Sequence, residues 1–126
     1  MTRPWLSIFV LFATVAVATV PACGNGEPSA DDPVVRKQAM NLWRERCATC
    51  HGMDGDGDGP QARYLEVKPR ALSDRQWKNS VTDEHLRTVI VQGGPAVGLN
   101  LAMAPNPDLG KEPAVLEALV QHVRGL

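Results

Sequence analysis

Cys47-Ala48-Thr49-Cys50-His51 decides how the rest of this 126-residue chain is read. Two thiols three positions apart, with an imidazole directly after the second, can grip both vinyl groups of one haem while the histidine reaches the iron from the same turn of backbone. Three other readings compete with covalent haem attachment. A redox dithiol would want a βαβ setting, and no alternating strand pattern surrounds the motif. A zinc site would want four ligands, usually two separated pairs, and no second Cys/His pair follows downstream. A chance occurrence would stand without supporting features, and the flanking sequence supplies several.

Upstream of the motif, Asp32 before Pro33 reads as a helix N-cap with proline in the first turn. Val35, Ala39, Leu42, Trp43 and Cys47 then recur at three- and four-residue spacing, the pattern of an amphipathic helix that delivers the cysteines at its end. Downstream, Gly52 to Pro60 holds four glycines and no large apolar residue except Met53, so a loop is expected there. A short helix is expected around Gln61 to Leu65, interrupted by Lys68-Pro69-Arg70. Thr82 can cap a second helix over Asp83 to Gln92, with Leu86, Val89 and Ile90 on one face and Gly93-Gly94-Pro95 as its stop. Residues 93–110 contain four glycines, three prolines and two asparagines, which makes a long loop around Met103. The last helix, Pro113 to Arg124, carries Leu116, Leu119, Val120 and Val123 on one side. The expected fold is all-α, with three main helices and two large loops around one covalently bound haem.

The N-terminus reads as a targeting segment. Residues 1–22 carry one charge, Arg3, and the apolar tract from Trp5 to Val20 has no Asp, Glu or Lys. A small residue before a cysteine at its end favours a signal peptide over an uncleaved membrane anchor. Val20-Pro21-Ala22-Cys23 resembles the lipobox of bacterial lipoproteins, in which the cysteine receives diacylglycerol and becomes the first mature residue. That accounts for the third cysteine, and two or more acyl chains hold a protein stably on a bilayer. An ordinary secretory signal that leaves Cys23 as a free thiol is the alternative. Gly24 to Pro33 has the composition of a tether, with a reach of some 30 Å at about 3.3 Å per residue, so the folded domain is expected over 34–126. Cleavage before Cys23 leaves 104 residues with 12 basic and 14 acidic side chains. A nucleic-acid footprint is therefore excluded.

With these elements in place, the sequence resembles class I cytochromes c, the small single-haem electron carriers of bacterial envelopes. The resemblance runs from about Val34 to Leu126. It rests on Trp43 four residues before the first cysteine, Cys-Ala-Thr-Cys-His-Gly at 47–52, Gly59-Pro60, Met103 in a Gly/Pro-rich loop, and the closing Leu119-Val120-Gln121-His122-Val123-Arg124. It implies that the first and last helices cross with the haem between them and the methionine loop. It also implies thioethers at Cys47 and Cys50, His51 as proximal and Met103 as distal iron ligand, and the Pro60 carbonyl on the second ring nitrogen of His51. Arg70 and Trp77 would touch the haem propionates. Two positions depart from the family pattern. Ala39 stands where glycine is frequent at the helix crossing, and His122 where an aromatic residue is usual.

Other residues weigh less. Met40 sits on the first helix as core filler, and Met53 is too close to His51 to reach the opposite face of a haem. His85, beside Asp83 and Glu84, reads as a solvated surface histidine, and His122 as a packing residue. Asp54-Gly-Asp56-Gly-Asp58-Gly59 matches the first half of a calcium loop, but position twelve would be Leu65 in place of glutamate, so a solvated haem-flanking loop is expected instead. The function implied is one-electron transfer between redox partner proteins on the periplasmic side of a bacterial envelope, by an electron carrier and not an enzyme. The alternatives are a haem subunit of a larger oxidoreductase, or an open-site haem enzyme or gas sensor in which Met103 does not ligate.

Overall fold

A computed structural model of the chain describes residues 26–126. The signal segment and Cys23 lie outside the described residues. The first helix, α1 (Pro33–Leu42), starts where the sequence places it: the Asp32 carboxylate accepts from the Val34 N–H at 2.7 Å, and Pro33 occupies the first turn. Such a cap contributes about 1 kcal/mol. Ordered chain begins earlier than the tether reading allows. Ala30 is only 9% exposed and belongs to the core, and a turn closes from Ser29 O to Asp32 N at 3.0 Å.

α1 runs without a break into a single π-helical turn, Trp43–Cys47, and then into α2 (Ala48–His51). The turn is defined by the Ala48 N–H reaching the Trp43 carbonyl five residues back. Three further helices follow: α3 (Arg75–Ser80), α4 (Asp83–Gln92) and α5 (Pro113–Gly125). Short 3₁₀ turns at Ala62–Tyr64, Gly94–Val97 and Pro107–Lys111 stiffen the loops. Among the described residues there is no strand, so the all-α expectation holds, and no helix is long and apolar enough to cross a membrane.

α5 is the centre of the packing, in contact with both α1 and α4. Its apolar side, Val115, Leu116, Leu119, Val120 and Val123, is buried against Val35, Ala39 and Trp43 of the N-terminal helical run and Leu86 of α4. Ala39 is 1% exposed, so the methyl group in place of glycine is accommodated within the packed crossing. Between α4 and α5, Arg124 reaches Asp83 and Arg87 reaches Glu117, both within 2.8 Å. Exposed pairs of this kind add little stability individually, so burial carries the assembly.

His122 lies inside this packing. Its ring meets Trp43 edge-on, with centroids 4.6 Å apart and planes at 69°, and its Nε2 is buried with no hydrogen-bond partner in the protein. Burial holds its pKa below the usual histidine value. The sign of the consequence is fixed: the unfolded chain takes up a proton at about pH 6.5, before the folded one does, so stability falls as pH drops through that value toward the lower folded pKa. The urea midpoint of the wild-type protein should therefore drop more between neutral and mildly acidic pH than that of His122→Phe. Equal drops in the two proteins would remove His122 as the cause.

Candidate functional site

The π-helical turn and α2 together present Cys47, Cys50 and His51 to a cavity of about 710 Å³, within the range of roughly 300–1,000 Å³ usual for cofactor sites. The opposing walls come from the 65–72 loop, Trp77, the α4 face of His85, Leu86, Val89 and Ile90, the 99–106 segment with Met103, and Leu119 and Val123 of α5. The lining is predominantly apolar. Trp43 closes part of it and is fixed by its indole N–H donating to the Met53 carbonyl at 3.3 Å. That contact uses the Met53 backbone; the Met53 side chain is 52% exposed.

α2 is only four residues long, so its carbonyls have few partners within the helix. The glycine loop supplies them. The N–H groups of Gly57, Gly59 and Gln61 donate to the carbonyls of His51, Cys50 and Thr49 at 2.7, 3.1 and 2.8 Å. Residues along the loop alternate, with Gly55, Gly57 and Gly59 buried and Asp54, Asp56 and Asp58 exposed. The loop is thus a backbone clamp on the cysteine helix, more deeply packed than a solvated loop. Gly59 is needed because its approach leaves no room for a side chain: a Cβ there would run into the carbonyl oxygens of Ala48 and Thr49.

His51 corrects the Pro60 expectation. Its Nδ1 lies 3.0 Å from the carbonyl of Arg70, whereas the Pro60 carbonyl accepts from the Arg63 guanidinium at 3.1 Å. A carbonyl can only accept, so Nδ1 carries the proton and the lone pair is on Nε2. Burial lowers the pKa of this ring, with the Arg70 hydrogen bond opposing in part, which favours the neutral, metal-binding form. Cys47 and Cys50 are free thiols. Burial pushes the Cys47 thiol up to about 11, against a smaller downward pull from Arg46. A redox dithiol needs the reverse, an attacking thiol with lowered pKa, so the environment speaks against a thioredoxin-like role.

The methionine loop is pinned to α4. Gly94 N donates to the Met103 carbonyl at 2.9 Å, Met103 N to Asn100 O at 3.2 Å, and Asn106 N to Ile90 O at 3.1 Å. A Cβ on Gly94 would meet the Asn100 carbonyl oxygen and come within 3.1 Å of the Met103 Cβ, so this position also depends on glycine. Met103 is half-buried on the cavity wall. Arg70 and Trp77 are both on that wall, the guanidinium 5.9 Å from the centre of the indole. Met40 is half-buried and packs on the core. His85 is not the solvated residue its acidic neighbours suggest: it is half-buried and lines the cavity. Its spacing four residues before Val89 is the sequence signal for that placement.

The model of the cytochrome c family matches residues 37–126, well over half the chain. The chain belongs to the cytochrome c family. A search of curated proteins returns no match. Members of the family bind haem c covalently through Cys-x-x-Cys-His, and the site of this cytochrome fits that group by its own geometry. It has two thiols and an imidazole within five residues of one continuous helical run, an Nε2 lone pair left free by the Arg70 carbonyl, and an apolar cavity of cofactor size. Membership of this family supports an electron-transfer protein, so redox partners are implied in general terms.

Proposed function

We propose that this cytochrome is a one-electron carrier with His51 and Met103 as the two axial ligands, tethered through a lipidated Cys23 to a membrane on the periplasmic side of a bacterial envelope. The observation that carries the closed-site reading is the position of Met103 on the wall of the same cavity as His51, in a loop pinned by hydrogen bonds to Gly94, Asn100 and Ile90. When bound, haem c supplies a one-electron Fe(III)/Fe(II) couple, which methionine ligation shifts toward the reduced state.

The protein's own groups divide the remaining work. Cys47 and Cys50 hold the ring, the Arg70 carbonyl orients His51 so that Nε2 faces inward, and the apolar walls exclude water. A rigid frame of this kind keeps structural change between oxidation states small. The N-terminal segment and Cys23 supply the anchor, on the strength of Val20-Pro21-Ala22-Cys23. Partners would meet it in small, transient encounters.

The test is optical. The ferric protein should show the weak far-red sulfur-to-iron charge-transfer band, and the reduced protein should not bind carbon monoxide. Met103→Ala should lose the band and bind carbon monoxide readily. Wild-type protein that lacks the band and takes up carbon monoxide would make this an open-site haem protein instead.

A further inference from the structure

His51 and Met103 belong to different parts of the fold. His51 ends the helical run that also carries Cys47 and Cys50, so a haem bonded to these residues rides on that run. Met103 rides on α4 instead. Its loop leaves α4 at Gly93, whose N–H donates to the Val89 carbonyl at 2.9 Å. The loop is tied back to the same helix at Asn106, whose backbone N–H and side-chain amide both donate to the Ile90 carbonyl, at 3.1 and 3.0 Å. How firmly Met103 is held opposite His51 therefore depends on what joins these two parts.

α5 joins them by packing, since it lies against both α1 and α4. A direct tie exists as well. Arg46, next in sequence to Cys47, donates from its guanidinium to the Asp108 carboxylate at 2.7 Å and reaches the Asn106 Oδ1 at 3.4 Å. Among the described residues these are the only hydrogen bonds between residues 33–51 and residues 93–108. The Asn106 amide is thus engaged at both ends, its nitrogen on α4 and its oxygen on Arg46. The hydrogen bond from Arg46 holds the Asp108 carboxyl below the usual carboxylate range, so the pair stays ionised. No charged residue occurs from Gly93 to Pro107, which makes Asp108 the first carboxylate after Met103. Arg44, on the same helical run, bonds Asn41 instead.

We propose that Arg46 is a positioning residue for Met103: through Asp108 and Asn106 it latches the loop that carries the distal ligand to the helical run that carries the haem. This rests on the reading of Met103 as an axial ligand. Movement of the loop away from the run breaks the tie, so the tie lowers the fraction of protein in which Met103 has left the iron. A half-exposed ion pair of this kind adds little to global stability. Its effect is concentrated in the one local opening that breaks it, and such openings differ in cost across a fold.

Titration of the full haem-loaded ferric chain with imidazole tests this. At about pH 8 imidazole is neutral, so it does not respond directly to the charges removed. It binds the iron only where Met103 has left, and its apparent affinity therefore scales with the open fraction. Binding should be about two- to fivefold tighter in Arg46→Gln and in Asp108→Ala, the range open to a half-exposed ion pair. The double variant should bind no more tightly than the tighter single one, because each change breaks the same tie. Met103→Ala should bind much more tightly than wild type, and adding Arg46→Gln to it should change nothing, since no ligand is left to hold. Wild-type affinity in both single variants, shifts of opposite sign, or an effect of Arg46→Gln that survives in Met103→Ala would overturn the latch and leave Met103 as the ligand. Met103→Ala that binds imidazole no better than wild type would remove the axial-ligand reading and the latch with it.

Discussion

Replacing Trp43 with alanine is expected to cost about 3–5 kcal/mol of folding stability, a large part of the 5–15 kcal/mol a domain of this size has. Trp43 is 2% exposed and among the largest fully buried side chains. It serves two surfaces at once. Its ring packs edge-on to His122 in the contact with α5, and it also forms part of the cavity wall. Truncation would open a void between the N-terminal helical run and α5 that Ala39 is too small to fill. It would also free the Met53 carbonyl from its indole partner. Trp43→Phe keeps most of the ring volume and loses only the N–H, so it should cost a fraction of the alanine figure. Urea unfolding of the haem-loaded protein measures both. Alanine and phenylalanine variants of equal stability would mean that the packing of this ring is not what joins α1 to α5.

How much of this was legible depends on the kind of signal each feature carries. The starts of α1 and α4 were readable because Asp32 and Thr82 cap them through side chains, and the sequence names side chains. α3 has a cap of the same kind, Asp74 accepting from the Gln76 and Trp77 N–H groups, but its six residues are too few for a periodicity to develop. The π-helical turn at Trp43–Cys47 has no pattern of its own, since the same apolar spacing suits an uninterrupted α-helix, and the change of register shows only in the hydrogen bond from Ala48 to Trp43. The acceptor for His51 was beyond reach for a related reason. Every residue but proline offers the same backbone N–H and C=O, so nothing in the identity of Arg70 marks its carbonyl as the one that faces the ring. His85 is different: its spacing to Val89 points inward, and the acidic Asp83 and Glu84 beside it in sequence mask that signal. The covalent site was readable in full as a motif, whereas the loop that clamps it read only as something that is not a calcium site.

That clamp carries the other large expected effect. Gly59→Ala should destabilise the haem-loaded protein by on the order of 3 kcal/mol, near the upper end for overpacking, because the new methyl group meets backbone and not a side chain that can swing away. The Thr49 carbonyl carbon would be 2.6 Å from the added Cβ, with the Ala48 and Thr49 oxygens closer still. The only relief is to move the loop off α2. Doing so breaks the bonds that Gly57, Gly59 and Gln61 donate to the His51, Cys50 and Thr49 carbonyls, each worth about 1 kcal/mol. α2, which carries Cys50 and His51 directly after Cys47, would lose its C-terminal partners together, so the yield of covalently loaded protein should fall along with stability. Gly110→Ala is the control, since a Cβ there meets only the Val91 side chain, at 3.4 Å, an ordinary contact. Urea midpoints and the ratio of haem absorbance to protein compare the two. Gly59→Ala as stable and as fully loaded as Gly110→Ala would show that the glycine loop only flanks the cysteine helix and does not hold it.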